Sequence, residues 1–142
     1  MAYNVLIVDD SSTMRMVIKK TISACGFDTG EFYEAANGRE ALDILRAEWL
    51  DVVVTDYNMR DMDGMELIAK MKTDEVLKSI PVVVVTTEGS QQRVKEFIEK
   101  GAADYVKKPF SPEEIRDKLK TIMGEPVNGS DSLENGDDGL DF

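Results

Sequence analysis

The sequence has no histidine, one cysteine and no long hydrophobic run, and each absence narrows what the protein can do. Without histidine, the chain lacks the commonest metal-binding side chain and any phosphohistidine step of its own. The single cysteine, Cys25, excludes an internal disulfide and fits a reducing compartment, so we expect a cytoplasmic protein. No apolar run approaches the ~18 residues of a membrane helix, and we expect no signal peptide ahead of the first strand.

Basic residues are also scarce, since 17 Lys and Arg oppose 28 Asp and Glu and the net charge is −11. Nucleic-acid binding relies on clustered Lys and Arg, so this balance argues against nucleic acid as a partner. Acidic residues concentrate in the segment 124–142, which holds six of them and no basic residue. Few apolar side chains there offset the entropy of ordering, so we expect one domain, residues 1–123, followed by a disordered acidic tail.

Apolar strands alternate with amphipathic helices along the domain, which predicts βαβ units and an α/β fold with a parallel sheet. The predicted strands are Asn4–Val8, Phe32–Ala36, Val52–Thr55, Val82–Val85 and Asp104–Lys107. The first helix follows Asp10 and ends at Gly26, where a glycine suits the residue after a helix. The other four helices are predicted to start at the capping residues Asn37, Asp63, Ser90 and Ser111. The fourth helix has few apolar residues, so we expect it to pack less firmly than the others.

Four short polar signals each close one of the apolar strands: Asp9-Asp10, Asp56, Thr86-Thr87 and Lys108-Pro109. In an open α/β sheet the carboxyl ends of parallel strands line one crevice, where ligands bind. Each signal alone is ordinary, but together they bring three carboxylates to one place. Two carboxylates ~4 Å apart repel by about 4 kcal/mol at an effective dielectric constant near 20. The set therefore predicts a site for Mg²⁺, with the Asn58 carbonyl as a further oxygen ligand.

The same crevice is suited to a phosphoryl group. The chain has neither a Gly-rich P-loop nor a GxGxxG motif, so phosphate binding falls to the metal, Lys108 and a threonine hydroxyl. A proline follows Lys108 and holds it extended at the strand end, with a cis peptide bond as one alternative. A carboxylate is an accepted nucleophile in phosphoryl transfer, which makes an acyl phosphate on Asp56 the expected product.

The order Asp9-Asp10, Asp56, Thr86, Lys108-Pro109 resembles the receiver domain of two-component response regulators. The resemblance covers residues 4–123. It implies a flavodoxin-like (βα)5 fold, a doubly wound parallel sheet of five strands in the order 2-1-3-4-5. It also implies a signalling protein that catalyses its own phosphorylation and dephosphorylation rather than an enzyme acting on other substrates.

The resemblance further implies a role for each matching residue. Asp56 is the phosphoacceptor, and Asp10, Asp56 and the Asn58 carbonyl hold Mg²⁺, with Asp9 assisting through water. Lys108 and Thr86 contact the phosphoryl group, and Tyr105 is an aromatic switch that moves inward when Thr86 is drawn to the phosphate. Asn58 and Glu88 occupy the two positions that tune dephosphorylation. The expected partners are a histidine kinase of the CheA type, a flagellar motor switch protein or other output protein, and a phosphatase.

Within the family, the chain is most similar to single-domain chemotaxis regulators. The segments Ser12-Thr13-Met14-Arg15 and Asp56-Tyr57-Asn58-Met59 carry this likeness, together with Tyr105. Three features depart from the family pattern. Arg60 stands where many receivers have proline, which predicts a looser loop after Asp56. The segment Asp28–Glu34 is longer than usual, and the fourth helix begins Ser90-Gln91-Gln92 without the lysine pair of the best-known chemotaxis members.

Two alternative functions stay open on the sequence. One is a receiver that passes its phosphate along a phosphorelay. The other is a Mg²⁺-dependent phosphatase with an aspartate nucleophile, although that class has Asp-x-Asp after its first strand. The tail also allows a docking peptide, because Leu140 and Phe142 stand among its acidic residues.

Overall fold

The computed structural model describes residues 2–59 and 61–125. Strands and helices alternate throughout this part of the chain, with one short 3₁₀ helix at Leu77–Ser79 before the fourth strand. The elements are β1 (Tyr3–Val8), α1 (Ser12–Ala24), β2 (Thr29–Ala35), α2 (Gly38–Ala47), β3 (Val52–Asp56), α3 (Gly64–Lys72), β4 (Val82–Thr86), α4 (Gln91–Glu99), β5 (Asp104–Lys107) and α5 (Pro112–Ile122).

The five strands form one parallel sheet in the order β2-β1-β3-β4-β5. This confirms the expected flavodoxin-like α/β fold and its strand order. The strands β1, β3, β4 and β5 are consecutive neighbours, so the residues that follow them lie along a single edge of the sheet. That edge is where the four polar signals of the sequence were expected to meet.

Helices cover the sheet on both faces, and its central strands each contain a run of buried apolar residues that these helices cover. Along β1, Val5 and Ile7 belong to a core cluster with the buried residues of α1 and α5. The alternate residues Leu6 and Val8 belong to a second cluster with α2, α3 and α4. Successive side chains of a strand point to opposite faces, which explains why this run is continuously hydrophobic.

The helices begin at the residues that the capping patterns predict. The N-cap side chains of α2, α3, α4 and α5 each accept a hydrogen bond from a backbone N–H three residues on; these residues are Asn37, Asp63, Ser90 and Ser111. Helix α1 is capped by Ser11, and Gly26 follows it with a φ of 95°. On α4 only Phe97 is buried, and Ile98 is 46% exposed, as the sparse apolar pattern of this helix indicates.

The prediction for β2 was wrong at both ends, since the strand runs from Thr29 rather than Phe32 and stops at Ala35. The pairing of β1 with β2 shifts register between Tyr3 and Val5, where β2 holds one extra residue. The Asn4 side chain contacts this irregularity by accepting a hydrogen bond from the Glu31 backbone N–H at 2.9 Å. The first residues of this edge strand are exposed or half-buried, so hydrophobic alternation does not mark them.

Two expectations fall on residues outside the described part of the chain. These are the looser loop at Arg60 and the acidic tail, of which 126–142 is not described. None of the helices within 2–59 and 61–125 combines the length and apolarity of a membrane span.

Candidate functional site

Three acidic side chains meet at the carboxyl edge of the sheet. Asp9 and Asp10 follow β1, and Asp56 is the last residue of β3, the strand beside it. One carboxylate oxygen from each lies within 4.8 Å of the others. Asp9 is buried, Asp56 is half-buried and Asp10 is exposed, so the cluster opens to solvent on one side. The predicted convergence of these carboxylates is therefore observed.

The Asp9 carboxylate is only partly satisfied by hydrogen bonds. Its Oδ1 accepts from the Ser11 backbone N–H at 2.9 Å, and Oδ2 is the one buried side-chain polar atom without a hydrogen-bond partner within the described ranges. Burial is the main cause that raises the pKa of Asp9, and the nearby Asp56 charge adds to it. A buried carboxylate oxygen without a hydrogen-bond partner costs free energy of folding. We therefore expect this oxygen to receive a further partner when the site is in use.

Lys108 is the cation of this cluster. Its Nζ lies 3.3 Å from Asp56 Oδ1 and 3.8 Å from Asp9 Oδ2, and its side chain is 19% exposed. The Lys108 backbone N–H donates to the Thr86 carbonyl at 2.7 Å, which continues the β4–β5 pairing beyond the strand end. The peptide bond between Lys108 and Pro109 is cis. The structure thus places the predicted lysine against two of the three predicted carboxylates.

These residues fit a hard divalent cation. The donor set consists of carboxylate oxygens, which Mg²⁺ prefers, and Asp9 Oδ2 supplies an oxygen not already used in a hydrogen bond. One lysine opposes three acids, so a net negative charge is left for a metal to balance. Asn58 is exposed and lies two residues beyond Asp56, in the loop that follows β3.

Thr86 ends β4 one strand away from Asp56, and its side chain is buried. Its hydroxyl accepts from the Glu88 backbone N–H at 3.0 Å and donates to the Glu88 carbonyl at 3.3 Å. Tyr105 is half-buried on β5, where Lys118 Nζ lies 4.4 Å from the centre of its ring. Thr87 is exposed, so the threonine of the pair that lies in the sheet is Thr86.

Arg15 is part of this site, although no sequence pattern predicts its contacts there. Its Nη1 donates to the Asp9 carbonyl at 2.6 Å, and its Nε lies 2.9 Å from Glu34 Oε1. The guanidinium therefore ties α1 to the loop that carries the acid pair and to β2. Sequence pattern marks Arg15 only as one residue of the Ser-Thr-Met-Arg segment.

Arg93 forms a second contact group that sequence reasoning missed. Its guanidinium lies against Glu88, Glu96 and the hydroxyl of Tyr57. Tyr57 directly follows Asp56, while Arg93 lies on α4, 36 residues along the chain. No short-range motif predicts a contact across that separation.

The fold and site define an α/β domain that carries an aspartate cluster at the carboxyl edge of a parallel sheet, and comparison with known proteins gives the family. Residues 5–120 match the response regulator receiver domain. The chain therefore belongs to the response regulator receiver family. The likeness that the pattern Asp9-Asp10, Asp56, Thr86, Lys108-Pro109 indicated is confirmed.

Individual relatives carry the name of the chemotaxis regulator CheY. The Chemotaxis protein CheY1 of Helicobacter pylori is 40% identical over 120 residues, which is 84% of this chain and 95% of that protein. The Chemotaxis protein CheY homolog of Campylobacter jejuni is also 40% identical over 120 residues, covering 84% of this chain and 91% of that protein. The solved structure of the chemotaxis response regulator CheY4 of Vibrio cholerae has a TM-score of 0.77 at 33% identity, and covers 86% of this chain and 99% of that one.

Proposed function

We propose that this protein is a response regulator of chemotaxis whose receiver domain is phosphorylated on Asp56 in a Mg²⁺-dependent reaction. The observation that carries the proposal is the Asp56 carboxylate itself. It ends a central strand, reaches solvent on one side, and lies 3.3 Å from the Lys108 ammonium within a cluster of oxygen ligands. A carboxylate so placed has both a nucleophilic oxygen and a nearby positive charge for an incoming phosphoryl group.

The proposed reaction takes a phosphoryl group from the phosphohistidine of a partner kinase. An Asp56 oxygen attacks phosphorus, the new O–P bond forms, and the P–N bond breaks with its electron pair leaving on the histidine. Lys108 balances the negative charge that is gained at Asp56, and the Thr86 hydroxyl donates to a phosphoryl oxygen. Asp10, Asp56 and the Asn58 carbonyl would hold Mg²⁺, with Asp9 assisting through water. A bound Mg²⁺ supplies positive charge that reduces the repulsion between the anionic donor and the carboxylates.

The proposed return to the resting state is hydrolysis of the acyl phosphate on Asp56. Water attacks phosphorus, the O–P bond to Asp56 breaks, and the carboxylate and inorganic phosphate are released. Asn58 and Glu88 are both exposed, and each lies two residues beyond a residue of the site, Asp56 and Thr86 respectively. We propose that they set the rate of this hydrolysis.

Signal output follows from the hydrogen bonds of Thr86. For its hydroxyl to reach the phosphoryl group, it must leave the backbone of Glu88, which shifts the loop between β4 and α4. Tyr105 on the neighbouring strand then moves inward into the space that Thr86 vacates. The surface formed by α4, β5 and α5 is the one these movements alter, and we propose it as the binding face for an output protein.

The names of the relatives support a role in chemotaxis. As partners we propose a kinase of the CheA type and a flagellar motor switch protein. A phosphorelay role is the second candidate, since α4 begins Ser90-Gln91-Gln92 rather than with the lysine pair of the best-known chemotaxis members. Binding of the phosphorylated protein to a motor-switch peptide, compared with transfer of its phosphate to a histidine phosphotransfer protein, separates the two.

The direct test is incubation with acetyl phosphate and Mg²⁺ followed by mass mapping of peptides. We expect one added phosphoryl group on the peptide that contains Asp56, and none when the metal is chelated. Asp56→Asn should abolish the modification, whereas Asp43→Asn, an exposed aspartate on α2, should not change it. A stable acyl phosphate on the Asp56→Asn protein would refute the assignment.

A further inference from the structure

The Arg93 guanidinium joins three parts of the molecule. Its Nε lies 3.3 Å from Glu88 Oε1, in the loop between β4 and α4, and its Nη1 lies 3.1 Å from Glu96 Oε1, one turn further along α4. The same Nη1 donates to the Tyr57 hydroxyl at 2.9 Å, and the guanidinium carbon lies 5.1 Å from the centre of the Tyr57 ring. The Arg93 side chain is 31% exposed, so these contacts are partly shielded from water.

Tyr57 is a fixed anchor for this arginine. Its backbone N–H donates to the Val85 carbonyl at 3.1 Å, and its carbonyl accepts from the Gly64 N–H at 3.0 Å. Gly64 is required there, because a Cβ would lie 2.6 Å from the Asp56 carbonyl oxygen. The Tyr57 ring also packs against the fully buried ring of Phe97, with the ring centres 5.3 Å apart.

Glu88 is tied to the phosphorylation site through its backbone, because its N–H and carbonyl both bond the hydroxyl of Thr86. Its side chain is 54% exposed, and the carboxylate is held by Arg93. Without that guanidinium, the Glu88 carboxylate would be an uncompensated negative charge in the loop that follows Thr86, and β4, which ends at Thr86, lies next to the strand that ends at Asp56.

We propose that Arg93 is a positioning residue for Glu88. Anchored on Tyr57, it holds the Glu88 carboxylate and cancels its charge, and so sets how readily Asp56 accepts an anionic phosphodonor. The inference rests on the proposed phosphorylation of Asp56 and adds to it a residue on α4 that touches neither metal ligands nor phosphate. It also links one element of the proposed binding face to the rate of phosphorylation, because Arg93 lies on α4.

The consequence is a charge effect of modest size. Loss of one partly exposed ion pair near the site should slow phosphorylation by acetyl phosphate roughly two- to fivefold at low ionic strength. The Debye length falls from about 30 Å at 0.01 M salt to about 3 Å at 1 M, so the effect should fade as salt is added. A change in packing alone would not depend on salt in this way.

The test is a double-mutant cycle measured as the rate of phosphorylation by acetyl phosphate at saturating Mg²⁺. Arg93→Met removes the charge but keeps an apolar stem, and Glu88→Gln removes the charge that Arg93 opposes. We expect Arg93→Met to slow the reaction in the wild-type background and to have little effect in the Glu88→Gln background. Equal slowing in both backgrounds, or no slowing in either, would overturn the proposal.

Two further variants separate charge from structure. Arg93→Lys should restore part of the rate, because an ammonium also opposes Glu88, and a lysine variant as slow as Arg93→Met would count against the proposal. Glu96→Gln is the matched control, since it removes the other carboxylate on the same guanidinium without touching the loop from Thr86 to Glu88. It should keep the wild-type rate, and a loss equal to that of Arg93→Met would mean that helix packing is responsible.

Failure of this inference is distinguishable from failure of the proposed function. If the wild-type protein gains no phosphoryl group on Asp56, the proposed function itself falls. If Asp56 is modified but the cycle shows no coupling between Arg93 and Glu88, only the role of Arg93 is refuted.

Discussion

The Asp9→Asn substitution should stabilise the metal-free protein, although it removes a residue of the functional site. Asp9 is buried, and oxygens of Asp10 and Asp56 lie within 4.8 Å of its own. At an effective dielectric constant near 20, each such neighbour repels it by about 3.5 kcal/mol, while Lys108 at 3.8 Å attracts it by about 4.4 kcal/mol. Asparagine removes both effects and still accepts the hydrogen bond from the Ser11 N–H.

The two repulsions together exceed the attraction to Lys108, so removing the Asp9 charge should stabilise the folded protein. Water screens the repulsion from the exposed Asp10, so the net gain in the free energy of unfolding should be about 1–2 kcal/mol, or a rise in Tm of about 3–8 °C. The assay is urea and thermal unfolding at pH 7 with the metal chelated. Asp10→Asn is the matched control, because it removes an equal charge that is not desolvated, and its gain should be smaller.

The gain should depend on pH with a sign that follows from the pKa of Asp9. Burial raises that pKa above its ordinary value of 3.8 in the folded protein. At a pH below 3.8, Asp9 is protonated in both the folded and the unfolded state. The wild type and the Asp9→Asn variant should then differ in stability only by the difference between a carboxylic acid and an amide. As pH rises through the folded-state pKa, the wild type loses stability and the gap opens.

Magnesium should reverse the order of stability. A ligand that binds only the folded state stabilises it in proportion to the logarithm of its concentration over Kd, and the wild type has the full ligand set. An Asp9→Asn protein that is less stable than wild type at pH 7 without metal would refute the reasoning. So would a gap of the same size at pH 3.5 and pH 7.

Four other substitutions, of which two form a matched pair on α4, test separate parts of the argument. Phe97→Ala should cost about 3–5 kcal/mol in urea unfolding because the ring is fully buried, whereas Ile98→Ala on the same helix, 46% exposed, should cost less than about 1 kcal/mol. Lys108→Ala should still bind Mg²⁺ in a calorimetric titration but should no longer change its tyrosine fluorescence or partner binding after treatment with a phosphodonor. Ser111→Ala should cost about 1 kcal/mol in thermal unfolding, because it removes a hydroxyl that caps α5.

Local sequence was enough to place most of the elements. A side chain that caps a helix accepts a hydrogen bond from a backbone N–H only three residues away. Asn37, Asp63 and Ser111 therefore predict the starts of their helices from local sequence alone. The buried strands are equally local, because a strand covered on both faces must be apolar throughout. The exception is β2, whose exposed start and extra residue depend on pairing with β1, and pairing across the sheet leaves no mark in local composition.

The site divides in the same way. Asp56 ends a strand, and Asp9 and Lys108 each come directly after one, so the topology of a parallel sheet brings them together whatever their rotamers. Arg15 and Arg93 reach their partners through long side chains that choose among many rotamers, and their partners lie on distant elements. Periodicity and spacing carry no information on those choices, so the contacts of Arg15 and Arg93 became visible only in the structure.

The hydrogen bonds that Thr86 makes before phosphorylation determine how much free energy the proposed switch requires. Its hydroxyl is already satisfied twice by the backbone of Glu88, so a phosphoryl group on Asp56 must offer a better partner than two neutral hydrogen bonds. A charge-assisted hydrogen bond to an anionic oxygen is roughly twice as strong as a neutral one, so the two alternatives are close in free energy. When two states are so close in free energy, small changes in the loop between β4 and α4 shift the fraction of molecules in each state. The ion pair between Arg93 and Glu88 is one interaction that would shift this fraction. Substitutions that loosen this loop should therefore alter signal output even where Asp56, Lys108 and the metal ligands are untouched.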